Sequence, residues 1–258
     1  MTFPVGINDE IKSSLQPLLN PVAVSKRFIF IPSIEHHLQL SAIEETDSAQ
    51  NQFLAPPILI TLITSQPETS AARQVTEVLK NSQSWSQYVL QCNPNPFKNQ
   101  ELFQHQKHGS FLPLFSLTAG SAGWGMENGI RVTLLCRENF DLMVEFYGIL
   151  LHCSNPSKTK DYAIFSLMGT PTSIIELVLF NCSVKGISKC LLESIRLHFI
   201  VEKLTSIAIE LCRKFPDCEP AEAEVAGYCH GGDWRVRDPL GNKLVLHDKE
   251  WMEEHAEY

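Results

Sequence analysis

The feature that most constrains this chain is an internal repeat. From about residue 130 a strand, a helix and two strands follow one another, and the same order recurs within about 120 residues. The first pass has a strand over residues 130–136, a helix carrying Leu142, Val144, Phe146, Tyr147 and Leu150, and strands over 162–167 and 174–180, with a Gly169-Thr-Pro171 turn between them. Asn139 or Asp141 is placed to cap that helix. The second pass has a strand over 196–201, a helix over 204–215, and a hairpin joining 234–237 to Lys243–His247. The hairpin turn, Asp238-Pro-Leu-Gly-Asn242, has suitable chemistry: proline presets the bend, and Gly-Asn tolerates positive φ. Such a repeat is a statement about the whole fold rather than about one element.

Upstream, the pattern is less regular. Ile58-Leu-Ile-Thr-Leu-Ile-Thr64 reads as a buried strand, followed by a helix over 68–82 with Val75, Val78 and Leu79 on one face, then a strand over 85–90. Whether this run begins a further unit is open. Residues 93–110 read as a polar loop holding Pro94, Pro96, His105 and His108, and 118–125 as a glycine-rich turn. Phe28-Ile-Phe-Ile31 reads as a short strand stopped by Pro32, and the polar, acidic residues 41–52 as a linker. The expected organisation is an N-terminal segment over 1–55, an α/β extension over 56–128, the repeat domain over 129–249 and a tail over 250–258.

Composition narrows the function classes. The chain has 258 residues, 44% hydrophobic and 19% charged, enough apolar surface for a real core. No apolar run approaches the roughly 20 residues of a membrane span, and the start lacks the basic and apolar regions of a signal peptide. A net charge of −8 argues against binding a nucleic-acid backbone. The eight cysteines form no C-x-x-C pair and no zinc-finger spacing, so reduced thiols in the cytosol or nucleus are expected. The Asn181-Cys-Ser sequon would then go unused.

The repeat resembles the paired βαβββ modules of the glyoxalase, or vicinal oxygen chelate, superfamily. Arg131-Val-Thr-Leu-Leu-Cys136 with Phe146-Tyr147-Gly-Ile-Leu150 is similar to that superfamily's first strand and helix end. Leu197-His-Phe-Ile-Val-Glu202 is similar to the first strand of a second module, and Asp238-Pro-Leu-Gly-Asn-Lys-Leu-Val-Leu246 to its turn and closing strand. A closer resemblance is to the animal group called "family with sequence similarity 124", which carries a glyoxalase-like domain without assigned activity. It extends more faintly to Ile58–Thr64, Trp85-x-x-Tyr88 and Trp124-Gly125. The resemblance implies an α+β fold of paired modules, with an N-terminal α/β extension.

It also implies where a metal would sit. Active members bind one between two modules, through the first strand of each, usually by His, and through a later strand of each, usually by Glu. Carried onto this sequence, those positions fall on Arg131, Arg196, Glu176 and Val245. Arginine has no lone pair for a metal, so no metal ligand set, no catalytic residue and no cofactor are expected. Strand alternation puts Arg131 with Thr133, Arg196 with His198, and Glu176 with Val178 on shared faces. The functional expectation is a metal-free, non-catalytic protein that binds a partner protein or a small anion, the latter through Arg131 and Arg196 with Glu176 and His198 beside them. The alternatives are a divergent lyase, isomerase or dioxygenase with a site rebuilt from His198, Glu176 and His247, and a scaffold whose cup is filled by its own side chains. A homodimer is expected by analogy alone, and no membrane partner.

Other histidines carry less. Glu35-His36-His37 and His105-x-x-His108 lie in polar stretches without a third ligand and read as solvated loop residues. His230, in His230-Gly-Gly, reads as part of a turn, although it could reach the cup rim, and the glycines at 120–125 lack phosphate-loop spacing. Residues 250–258 read as a solvated tail, with a short partner-docking helix as the alternative.

Overall fold

The computed structural model describes residues 58–64, 70–89, 97, 100–106, 114–119, 128–169, 173–182, 197–218, 221–222 and 234–248, together with Leu18, which is buried in the core. The expectations for the strand at 28–31, the linker at 41–52, His36, His37, His108, the glycines at 120–125, Trp124, the turn residues Thr170 and Pro171, Arg196, His230 and the tail concern residues outside this set.

One order, strand, helix and three strands, occurs three times. The first unit is β1 (Ile58–Thr64), α1 (Ser70–Asn81), β2 (Trp85–Tyr88), β3 (Leu102–His105) and β4 (Leu114–Ala119). The second is β5 (Asn128–Cys136), α2 (Phe140–Leu150), β6 (Ser157–Lys158), β7 (Tyr162–Gly169) and β8 (Ser173–Asn181). The third is β9 (Leu197–Ile200), α3 (Leu204–Lys214), a 3-10 turn (Pro216–Cys218), β10 (Ala221–Glu222), β11 (Trp234–Arg237) and β12 (Lys243–His247). In every unit the first strand lies parallel beside the last, as the intervening helix requires. The question the sequence leaves open at 56–128 is thereby answered, since β1 to β4 complete a unit.

The first two units share a sheet. β1 and β5 pair antiparallel with Thr61 opposite Arg131, giving the order β2-β3-β4-β1-β5-β8-β7-β6. The third unit forms its own sheet, β10-β11-β12-β9. The two repeats most visible in the sequence therefore do not share a sheet. β1 is buried at all seven positions, as a central strand with both faces covered must be, and β5 supplies its second edge.

Side chains alternate across the large sheet. Ile58, Ile60 and Leu62 of β1, with Ile130, Val132, Leu134 and Cys136 of β5, join Val75 and Leu79 of α1 and Met143, Phe146 and Tyr147 of α2 in the main core. Leu197, Leu204, Ile207, Leu211, Leu244 and Leu246 bring the third unit into that core. On the face away from the helices, here the cup face, Leu59, Leu102, Leu114, Leu135, Phe180 and Cys182 form a second cluster.

Several local expectations need correction. The stretch 93–110 is not all loop: Leu102 and Phe103 bury on opposite faces of β3, held between β2 and β4. His105 is 2% exposed with its ring edge on Trp85, so it is not a solvated loop histidine. Thr118 and Ala119 end β4 rather than start a turn. Asn139 stands at the N-cap of α2 but is left-handed (φ 57) and makes no side-chain cap bond, while Asp141 turns to Lys158 at 2.7 Å. Lys203 before α3 has the same φ, 57. The second and third units thus enter their helices through one shared left-handed kink, which Asn adopts more readily than Lys.

Candidate functional site

A line of polar residues crosses the cup face where the first two units meet. Register places Ser116 of β4 beside Thr61 of β1, Thr61 beside Arg131 of β5, Arg131 beside Glu176 of β8, and Glu176 beside Ser166 of β7. An approximate twofold between Thr61 and Arg131 relates the two halves, exchanging Ser116 with Glu176.

The halves satisfy their polar groups differently. Ser116 and Thr61, 0% and 2% exposed, share a hydroxyl hydrogen bond of 2.9 Å. Arg131 donates from Nε to Oε2 of Glu176 at 2.8 Å, and its Nη2 lies 2.7 Å from the same oxygen. The Glu176 side chain is 5% exposed and that of Arg131 30%, so the carboxylate is buried under a guanidinium that reaches solvent. Of the donors a guanidinium offers, those not turned to Glu176 have no partner among the described residues. Apolar positions flank this line: Leu59, Leu114 and Val178 on one side, Ile63 and Ile174 on the other. Beyond them Phe97 meets Phe180 edge to face at 5.6 Å and covers that end of the cup face.

The FAM124 domain model matches residues 2–247. The chain belongs to the FAM124 family. Among solved structures, this FAM124 chain is similar to glyoxalase I from Zea mays, with 17% identity over 76% of this chain and 70% of that one, at a TM-score of 0.45. It is also similar to the Leishmania major glyoxalase I, with 17% identity over 49% and 90% of the two chains and a TM-score of 0.32. A third likeness is to a glyoxalase / bleomycin resistance protein from Catenulispora acidiphila, at 16% identity, 45% and 93% coverage and a TM-score of 0.31. No curated protein matches the sequence. The fold is α+β, and the βαβββ unit order expected for the glyoxalase type is the order observed.

If a metal lay between the two units that share this sheet, as the resemblance implies, Thr61, Arg131, Ser116 and Glu176 would face it. This set does not fit a divalent ion. Two neutral hydroxyls already bonded to each other, one cation and one carboxylate held by that cation leave no ligand set of the nitrogen and carboxylate kind. Among the described residues no group of three or more His, Cys, Asp or Glu could hold a metal.

Arg196 lies outside the described residues, and β9, which follows it, belongs to the other sheet rather than facing β5. Val245 lies opposite His198 in that sheet. His198 itself stacks on His247, with Nδ1 and Nε2 2.7 Å apart and the rings inclined by 13°. The histidines of the rebuilt-enzyme alternative thus meet each other, in a different sheet from Glu176.

Thr61 and Ser116 are the site residues sequence reasoning missed. The alternation of Thr61 within its apolar run is a signal for the first, whereas Ser116 joins the site only through the pairing of β4 with β1. A further buried group lies where the second and third units meet. Asp238, 2% exposed, accepts hydrogen bonds from the Leu240 and Asn242 backbone N–H, the Asn242 side chain and the Tyr147 hydroxyl. Burial pushes its carboxyl up to about 6 despite those donors. Burial likewise raises the Tyr147 hydroxyl, with Asp238 adding to it.

Proposed function

We propose that this chain is a non-catalytic member of the superfamily whose cup binds a small anion, a carboxylate or phosphate, at Arg131. The observation that carries the reading is the buried Glu176 beneath a partly exposed Arg131 at the centre of the cup face. Glu176 fixes the guanidinium through one oxygen, which leaves its remaining N–H groups to form the paired hydrogen bonds that planar oxyanions accept. The flanking apolar positions would exclude water and favour a ligand with a small hydrophobic body.

Calorimetric titration of the full chain with inorganic phosphate and simple carboxylates tests this. Wild type is expected to bind, and Arg131→Ala to weaken binding at least about tenfold, the loss of roughly 1.4 kcal/mol. Arg131→Lys keeps the charge without the planar fork and is expected to fall between them. If no anion produces heat with wild type, the proposal fails.

A second reading, a cup filled by its own side chains, draws on the contact of Phe97 with Phe180 and on the closed Ser116–Thr61 pair. Phe97→Ala separates the two. It should leave anion binding nearly unchanged under the first reading, and create binding absent from wild type under the second.

A further inference from the structure

Glu176 meets Arg131 with only half of its carboxylate. Oε2 takes both contacts of the guanidinium, Nε at 2.8 Å and Nη2 at 2.7 Å. The other oxygen, Oε1, accepts no hydrogen bond among the described residues. An ionised carboxyl is an acceptor at both oxygens, and this side chain is 5% exposed, so water has little access to satisfy Oε1. Both oxygens sit on one carbon, which sets Oε1 beside the guanidinium N–H groups not turned to Glu176. The cup floor therefore presents a negative acceptor and positive donors as immediate neighbours.

Charge balance narrows what such a floor can hold. The line from Ser116 through Thr61, Arg131 and Glu176 to Ser166 contains one cation and one anion, and its hydroxyl pair is closed on itself. A simple anion on Arg131 would add its charge to a pair that is already neutral, close to the lone pairs of Oε1. A ligand with a cation next to its anion avoids that cost. Its anion takes the free donors, its cation takes the free acceptor, and both hydrogen bonds are charge-assisted.

We propose that the cup ligand is an α-amino acid in its zwitterionic form, with its carboxylate on the free N–H groups of Arg131 and its ammonium donating to Oε1 of Glu176. The assignment rests on anion binding at Arg131, as proposed above, and names the ligand class. One carbon separates carboxylate and ammonium in such a molecule, which suits donors and an acceptor that are adjacent. An apolar side chain fits over Ile63 and Ile174, since Phe97 and Phe180 cover the opposite end.

The test is calorimetric titration of the full chain with matched pairs, valine against isovalerate and alanine against propanoate, which differ only in the ammonium group. With wild type the amino acid of a pair should bind at least about tenfold tighter, the gain of one charge-assisted hydrogen bond. Glu176→Gln keeps the shape and removes the charge, and should bring that ratio close to one. Weaker anchoring of Arg131 in this variant affects both members of a pair alike, so the ratio reports on Oε1. Carboxylates that bind as tightly as their amino acids, or a preference that survives in Glu176→Gln, overturn the zwitterion proposal and leave anion binding at Arg131 standing. If no member of either pair binds, both proposals fail. The wild-type comparison decides on its own should Glu176→Gln not fold.

Discussion

The two halves of the cup meet at equivalent positions and fill them with different chemistry. In one half Thr61 and Ser116 close on each other as a neutral hydroxyl pair; in the other Arg131 and Glu176 form an ion pair. Two residues earlier the contrast recurs: β1 has Leu59 packed on Leu114, whereas β5 has Gly129 beside Ile174. A Cβ on Gly129 would lie 2.7 Å from the Ile174 carbonyl oxygen, so the second half has no room for a side chain where the first packs a leucine. The comparison teaches that the paired-unit fold demands polar groups satisfied across the central line, not a particular set of them. The ion-paired half is the one that leaves charged donors facing solvent.

That comparison can be broken by removing one member at a time and measuring stability in urea. The largest effect is expected for Glu176→Ala, about 3 kcal/mol, because it strands a partly buried guanidinium. Replacing both Arg131 and Glu176 by leucine should recover most of that loss, and a double variant as unstable as the single one would contradict the pairing. Gly129→Ala should cost about 2 kcal/mol, since the obstacle is backbone that cannot rotate away. A neutral result there would show that β5 and β8 have room to separate. Ser116→Ala should cost least, about 1 kcal/mol, one neutral hydrogen bond. Should Ser116→Ala prove as damaging as Glu176→Ala, the two halves would not differ as described.

Much of the fold was legible because it rests on local patterns. The strands β1, β5, β7, β8, β11 and β12 and all three described helices lie where periodicity and apolar runs put them, within a few residues at their ends. The Asp238–Asn242 turn formed as its residues dictate, with Gly241 at φ 85. β3 and β4 escaped because their identity is not local. Leu102-Phe-Gln-His105 is short and follows two prolines, and it becomes a strand through partners in β2 and β4. His105 appeared polar and solvated for the same reason: Trp85, which covers its ring, comes from another strand.

Alternation along β5 and β8 was enough to give Arg131 and Glu176 their faces, and neighbouring parallel strands then brought them together. What stands opposite Arg131 was another matter. A repeat encodes the order of strands inside a unit, because each unit must bury its own helix against its own sheet. It does not encode which edges join, because that depends on strand edges and core contacts separated by tens of residues. By itself the sequence determined that a strand-helix-strand-strand order repeats, and that Arg131 and Glu176 each alternate onto one face of their strands. Only the tertiary structure decided that there are three such units, that β1 rather than β9 lies beside β5, and hence that Thr61 and Ser116 complete the line with Arg131 and Glu176.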